Sequence, residues 1–288
     1  MPTNRLQQLH IQRIIMKTEL YKITTLSNLH VGSGDINFDV IDNQVQRDSI
    51  TNLPNINSSS LKGAFREHFT SEENESNMVK YIFGGDNKES EAQAGAYSFF
   101  EAQLLTRPVR SNVKAYFNAT SPLVIKNLLE TIENFNIEFD STLKAELVKL
   151  SKIEIKQGKP IIFENISNAI LEDEEAIIKD FDTSKLMPLL GEDLALFSDE
   201  DYKALDLPVL ARNYLVDGSS QNLWYEEVVP KKTKFFFCIA KPTNIDEKDK
   251  KQKIDGFENR FNNEGSKIQF GANKSIGYGF SKVTKVSL

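Results

Sequence analysis

The sequence predicts an α+β fold, and three observations carry that expectation. Apolar runs rich in β-branched and aromatic residues recur at residues 19–31, 95–105, 235–240 and 280–286, a helical seam follows the first run, and a second helical seam follows the third. Glu19 to Val31 reads as a strand closed by the Gly32 to Gly34 turn, and a loop runs on to Asn57. Ser58, Ser59 or Ser60 is expected to cap a helix whose apolar face is Leu61, Ala64, Phe65 and Phe69, the spacing of one helical stripe. Gly95 to Leu105 is the next strand, ending at Pro108, and Ser121-Pro122 opens a helix with Ile125, Leu128, Leu129 and Ile132 on one face. Short helical and strand-like pieces alternate from Ser141 to Leu207, with Ser198-x-x-Asp201 as a capping box, and this stretch is expected to be an insertion. Val209 to Val229 predicts a hairpin, with Asp217-Gly218 as the turn between Tyr214-Leu215-Val216 and Leu223-Trp224-Tyr225. Phe235 to Ala240 is a buried strand, a lysine-rich helix follows with Ile254, Phe257 and Phe261 as its seam, and a glycine loop leads to the strand Phe280 to Val286. Stripped of insertions, the order is strand, helix, strand, strand, helix, strand. This is the split βαβ arrangement of ferredoxin-like and RNA-recognition folds, expected here as one domain over residues 16–288. Such a fold names no function, since unrelated activities sit on it.

Composition narrows the classes. A chain of 288 residues with 40% hydrophobic content can bury a core of its own. The single cysteine, Cys238, sits inside Phe235-Phe236-Phe237-Cys238-Ile239, which excludes an intramolecular disulfide and points to a buried apolar group and a cytoplasmic setting. No stretch approaches the roughly 20 apolar residues of a membrane span, so no membrane partner is expected. Residues 1–15 lack the apolar core of a secretory signal and read as a flexible extension or an alternative start before Met16. The net charge of −6 argues against an indiscriminate nucleic-acid coat. Acids gather at Glu72 to Glu75, Glu172 to Glu175 and Asp199 to Asp201, whereas Lys62, Arg66, Arg107, Arg110, Lys114 and Lys267 to Lys282 occupy acid-poor segments. A basic groove on an acidic body is therefore expected.

Three separated segments, in one order, carry a family resemblance. The first is His30-Val31-Gly32-Ser33-Gly34, then Val40 to Asp48, Leu53-Pro54 and Ser59-Ser60-Leu61-Lys62-Gly63-Ala64-Phe65-Arg66. The second is Phe83-Gly84-Gly85, Ala94-Gly95, Leu104-Leu105-x-Arg107-Pro108-Val109-Arg110-Ser111 and Thr120-Ser121-Pro122. The third joins Leu223-Trp224-Tyr225-Glu226-Glu227-Val228-Val229-Pro230 to Gly271-Ala272-Asn273-Lys274-Ser275-Ile276-Gly277-Tyr278-Gly279-Phe280. From about Met16 to the end, the chain resembles the RAMP superfamily, and in detail the backbone subunits of type III-B (Cmr) CRISPR effector complexes. Lys114 departs from the family's usual glycine, and Ala272-Asn273 from its usual glycine and acidic or amide pair.

The resemblance implies a ferredoxin-like palm with insertions and a protruding thumb hairpin at 209–229. It implies copies stacked along the guide RNA, with each thumb interrupting the guide–target duplex and the target RNA cut beside it at regular intervals. Asp42 then holds the catalytic aspartate position, and cutting requires a divalent cation, Mg or Mn, with Asp42 as its candidate ligand. His30 and Glu227 are weaker candidates for assistance. Ser60, Lys62, Arg66, Arg110, Arg212, Gly271, Lys274, Gly277 and Gly279 are implied RNA contacts. Implied partners are guide RNA, target RNA, further copies of this chain, and other Cmr subunits including a polymerase-like large subunit.

Without the resemblance, Asp42-Asn43 reads first as a turn, and a lone histidine ending a strand as structural. Of Glu226 and Glu227, one would be solvated and one salt-bridged. Gly271 to Gly279 lacks the Gly-Lys-Ser/Thr ending of a P-loop and the strand-to-helix setting of a dinucleotide fold, which argues against ATP and NAD. Ser60, Lys62 and Arg66 open a helix whose orphan amides suit phosphate, though alone they are a cap and a solvated face. Arg107 and Arg110 are expected to meet RNA or a neighbouring subunit, and Phe235 to Phe237 to be core. Two other functions compete: a scaffold that holds guide RNA without cutting, and a stand-alone guide-processing ribonuclease using His30 without metal. The Val-Gln-Arg and Trp-Tyr-Glu-Glu segments disfavour the second.

Overall fold

Tyr21 and Ile23 are buried while Lys22 and Thr24, between and beyond them, stay partly open, the period-two signature of a strand with one face in a core. In the computed structural model this strand is β1, Met16–Thr25. The structure describes residues 16–34, 41–73, 77–85, 94–243, 255–262 and 264–286. The expected extension at 1–15, Val40 of the first motif and Ile254 of the expected seam lie outside the described residues.

After β1 come β2 (Asn55–Ile56), α1 (Ser58–Glu73), α2 (Asn77–Phe83), β3 (Ser98–Phe99), β4 (Ala102–Val109), β5 (Phe117–Thr120), α3 (Pro122–Asn134) and α4 (Ser141–Ser151). The expected insertion continues with β6 (Ile161–Ile162), β7 (Ile170–Leu171), β8 (Glu174–Glu175), β9 (Ile177–Ile178), α5 (Met187–Leu190), β10 (Leu194–Leu196) and α6 (Asp199–Ala204). The chain closes with β11 (Val209–Val216), β12 (Ser219–Glu227), β13 (Lys234–Pro242), α7 (Asp255–Glu258), β14 (Ser266–Gln269) and β15 (Phe280–Lys285). Among the described residues eleven strands form one mixed sheet, whose path runs β14-β15-β1-β13-β4-β5-β10-β6-β9, with β2 on β4 and β3 on β13. Its centre, β15-β1-β13-β4, is antiparallel at every step.

The helical face read from the sequence is the one that packs: Leu61, Phe65 and Phe69 are fully buried. Phe65 is the hub, with its ring centroid 5.5 Å from Phe99, 5.7 Å from Phe237, 5.7 Å from Phe261 and 5.8 Å from Phe270, so α1, the sheet and the 3-10 turn after α7 share one aromatic cluster. Phe235 to Ile239 are buried as expected, and burial pushes the Cys238 thiol up to about 12. Val124, Ile125, Leu128, Leu129 and Ile132 bury the face of α3. No helix among the described residues is long and apolar enough to cross a membrane.

Four local expectations are refined. The serines do not precede α1 but form its first turn, because Leu61 N already donates to Asn57 O at 2.9 Å. The strand expected to end at Pro108 continues through it to Val109, pairing Pro108 with Asn118. Segment 141–207 does not stand apart from the sheet: β10 pairs with β5 in parallel and with β6 antiparallel, and so lengthens it. In the hairpin, Asp217 (φ 48°) and Gly218 (φ 79°) supply the two positive φ values of a tight type I′ turn, with Val216 opposite Ser219. A register shift after Tyr214 sets Tyr214 against Asn222 and Arg212 against Trp224.

Truncating the hub should show how much of the fold leans on it. Phe65→Ala is expected to lower the unfolding free energy by about 4 kcal/mol, read as a lower urea midpoint with an unchanged slope.

Candidate functional site

Four chain segments leave the same end of the sheet and meet. Past β1, Leu29 and Val229 exchange both backbone hydrogen bonds at 2.8 Å, fastening the strand exit to the foot of the hairpin. Segment 41–47 lies between them: Gln46 N donates to Val31 O at 2.7 Å and Ser33 N to Gln44 O at 3.1 Å on one side. On the other side Asn43 N donates to Tyr225 O at 3.1 Å and Glu227 N to Asn43 O at 2.9 Å. Asp42 is exposed, and its Oδ2 accepts from Tyr225 N at 2.8 Å. The aspartate is thus held in water at the root of the hairpin, its orientation set by β12.

Glu226 and Glu227 point to opposite sides of β12, as successive strand residues must. Both are buried, 4% and 5% exposed, and each is neutralised by a different segment. Glu227 takes Arg47 Nη2 on Oε1 and Val45 N, at 3.0 Å, on Oε2. Glu226 takes Arg212 Nε at 2.7 Å and Asn273 Nδ2 at 2.8 Å, and the Arg212 guanidinium lies 4.7 Å from the Tyr278 ring centre. The expected pair of one solvated and one bridged carboxylate is therefore two bridged ones. His30 is buried too, with Nδ1 2.8 Å from Glu227 O. The resemblance implied His30 and Glu227 as weaker helpers in chemistry; in the structure both are buried and engaged, His30 with the Glu227 carbonyl and Glu227 with Arg47 and Val45 N.

The glycine loop closes over this frame. Gly271 (φ +73°) passes so near the chain that a Cβ there would stand 2.2 Å from His30 O, and one at Gly279 (φ +77°) 1.9 Å from Phe270 O. These glycines are required by packing. Gly277 (φ +85°) is different: a Cβ there meets nothing, and the residue is exposed. Lys274 is exposed beside it and bonds Glu67 of α1 at 3.1 Å, which ties the loop to the helix carrying Ser60, Lys62 and Arg66. Lys62 and Arg66, four apart, share a helix face.

Two arginines fall elsewhere. Arg107, expected to meet RNA or a neighbour, is buried and donates to Asp206 O at 3.0 Å, because β4 carries it under α6, where it faces the Tyr202 ring. Arg110 is exposed and grips Glu172 through Nε and Nη2, a pairing that holds its guanidinium pKa above the ordinary value. Arg47, Asn273 and Tyr278 are functional supports that sequence reasoning quoted within motifs without a role. Asn273 sits at φ 65°, so an asparagine in the left-handed region was the available signal.

For a divalent cation the frame offers little beyond Asp42. Among the described residues no three His, Cys, Asp or Glu side chains cluster as a metal site, and Glu226 and Glu227 are consumed by their partners. One exposed carboxylate fits a cation held mostly by water and phosphate oxygens, the usual habit of Mg.

A family model described as the RAMP superfamily matches residues 22–282, most of the chain. The chain belongs to the RAMP superfamily. Among similar proteins, the CRISPR system Cmr endoribonuclease Cmr4 of Pyrococcus furiosus is 29% identical over 286 residues, 93% of this chain and 96% of that protein. A cryo-EM structure of the type III-B Cmr-beta complex in its apo state holds a chain that superposes with a TM-score of 0.75 at 24% identity, covering 94% of this chain and 98% of that one. The crystal structure of oligomeric Cmr4 from Pyrococcus furiosus superposes with a TM-score of 0.70 at 25% identity, covering 95% of this chain and all of that one (100%).

In this RAMP chain the Arg47–Glu227 pair should be a strut first. Arg47→Met leaves a buried carboxylate uncompensated and is expected to cost about 3 kcal/mol of stability. Asp42→Asn, whose amide oxygen can still accept from Tyr225 N, should shift the urea midpoint hardly at all. A negligible loss from Arg47→Met would show that Glu227 does not need its partner.

Proposed function

We propose that this chain is the backbone subunit of a type III-B CRISPR effector complex, several copies lying along the guide RNA, and that it cuts the complementary target RNA at Asp42. The observation that carries the reading is the bond from Tyr225 N to the Asp42 carboxylate, which holds an exposed acid at the root of a projecting hairpin. On this reading the antiparallel centre β15-β1-β13-β4 is a ferredoxin-like palm, the hairpin β11-β12 its thumb, and 141–207 an elaboration within one domain over 16–288. The relative named Cmr endoribonuclease and the oligomeric Cmr4 structure support cutting and self-association. Guide and target RNA, further copies, and other Cmr subunits including the polymerase-like large subunit are its partners. Its setting is the cytoplasm.

The hairpin's exposed Tyr214, Leu215 and Leu223 suit a wedge between base pairs, since water is a poor solvent for both. A target nucleotide displaced at the root comes beside Asp42. Its 2′-oxygen attacks the adjacent phosphorus, the P–O5′ bond breaks, the 2′-proton passes to the Asp42 carboxylate, and the leaving oxygen takes a proton from water. Alignment supplies most of the rate, because nucleophile and phosphate belong to one nucleotide. Lys274 and the exposed turn at Gly277, where no side chain keeps the backbone away, meet the guide phosphates. A divalent cation, Mg or Mn, held by Asp42 and phosphate oxygens would supply positive charge against the phosphate. A guide-processing ribonuclease centred on His30 is disfavoured because that ring is buried and bonded to Glu227 O.

The test is the reconstituted complex with Asp42→Ala, Mg or Mn present. Regularly spaced cuts should slow by about 100-fold or more while target affinity stays within about twofold. Chelation of the cation should stop cutting by the unaltered complex. Cuts persisting at the original rate in Asp42→Ala would reduce this chain to a guide-holding scaffold.

A further inference from the structure

One cross-strand row of the central sheet is basic and plays no part in the site described so far. The register sets Lys267 against Lys282, Lys282 against Thr24, Thr24 against Lys234, and Lys234 against Thr106. Lys22, two residues before Thr24, projects from the same face. The other face of β1 turns Tyr21 onto Phe237 in the aromatic core, so the lysines stand on the side away from α1.

Among the described residues these lysines lack the neutralisation the fold provides elsewhere. At the far end of the same strands, Lys241 and Lys285 share Glu19 at 3.0 and 2.8 Å. Lys22 and Lys234 are half-buried, yet their amines meet neutral oxygens, Lys22 reaching Pro188 O at 2.5 Å and Lys234 reaching Asn118 Oδ1 at 2.8 Å. Among the described residues none of Lys22, Lys234, Lys267 and Lys282 forms an ion pair. Burial, and then Lys282, lowers the Lys22 pKa; burial, then Lys22 and Lys232, draws that of Lys234 down to about 8. Partly desolvated like charges are unfavourable unless an anion meets them. In a chain of net charge −6, positive charge left uncompensated at one place is a local device.

Position names the anion. Lys282 follows Gly279 at the end of the glycine loop, Lys234 follows the turn below the hairpin root, and Thr24 leads into the segment bearing His30. Exposed Lys232 extends the row over the Tyr116 ring, and α5 with Gly191 walls it on the insertion side. The row begins on the β14-β15 hairpin that the glycine loop closes, with Lys267 and Lys282 two residue pairs below the pair Gln269–Phe280, and forms a shelf continuous with that loop.

We propose that this shelf binds the sugar–phosphate backbone of the guide RNA where it leaves the glycine loop, a proposal that rests on the RNA-binding reading above. Ammonium groups on flexible stems fit phosphates and read no bases, so binding there is independent of sequence. An acidic protein surface would answer the same charge, but continuity with the glycine loop favours a continuous polyanion.

The test is binding of the full chain to a labelled single-stranded RNA of mixed sequence across about 50 to 200 mM salt. The combined Lys22→Gln, Lys234→Gln and Lys282→Gln variant is expected to make the slope of log affinity against log salt shallower by about 2. The melting temperature of the RNA-free variant should match or exceed that of the unaltered chain, since like charges have been removed. If the combined variant melts early, Lys282→Gln alone carries the test, with an expected slope change of about 1, and Lys282→Arg should restore the slope. An unchanged slope in a folded variant overturns the proposal. So does an unchanged slope accompanied by weaker association with protein partners, which would give the shelf to a protein. The cutting reading fails separately, by Asp42→Ala, and a shallower slope would leave the shelf standing whatever that variant does.

Discussion

Two consecutive buried carboxylates, Glu226 and Glu227, govern the end of the sheet where everything of chemical interest gathers. A buried carboxylate must be paired, and two neighbours on one strand cannot share a partner because they face opposite sides. Glu227 therefore draws in segment 41–47 through Arg47 and Val45, while Glu226 draws in β11 through Arg212 and the glycine loop through Asn273. Segment 41–47 and the glycine loop have little regular structure, so these side-chain ties reinforce the few backbone bonds that register them, while β11 is already paired along β12. The position of Asp42 is a consequence: once Asn43 pairs with β12, the preceding carboxylate falls on Tyr225 N. Acids that touch no solvent fix the acid that does.

The glycine loop shows how one sequence feature serves two constraints. Gly271 and Gly279 both have positive φ and both would clash with backbone if given a Cβ, so sterics alone account for them. Gly277 has the same handedness with open space beside it, and with Lys274 it forms the outward side of the loop. Its left-handed φ accounts for the glycine, and the missing side chain leaves the backbone there open on its outer side.

Local patterns were readable where the cause is local. The stripe of Leu61, Phe65 and Phe69, the seam of α3, the buried run at 235–240 and the Asp217-Gly218 turn follow from periodicity and φ preference alone, and the structure has them. The start of α1 was misplaced by a few residues because three consecutive serines are all competent caps and the Asn57 carbonyl decided among them. Pro108 was taken as a stop, yet a residue without an N–H can sit in a strand where none is needed. Arg107 looked like a surface cation because charge in a sequence says nothing of what α6 will cover. The roles of Glu227 and His30 were opaque for a similar reason: the Glu227 carboxylate meets Arg47 and Val45 N, the His30 ring meets the Glu227 carbonyl, and a contact across so much chain leaves no spacing to recognise. The family resemblance implied assistance from both, and the structure sets both beside segment 41–47, each engaged within the frame.

The distribution of paired and unpaired charge then separates frame from working surface. Arg47, Arg212, Lys241 and Lys285 each have a buried carboxylate to answer, and each fastens one element to another. Among the described residues Asp42, Lys274, Lys282 and the half-buried Lys22 and Lys234 have no such buried acid or base, and they lie in segments that adjoin one another at the same end of the sheet. On the proposed reading that asymmetry is what an RNA-guided subunit requires. The frame must be complete before RNA arrives, so its charges are satisfied internally; the surface must be incomplete until then, so the phosphate chain supplies the negative charge that the lysines lack, while the aspartate is kept for the strand to be cut. A protein that satisfied every charge within itself would be more stable and would have nothing left with which to hold its guide.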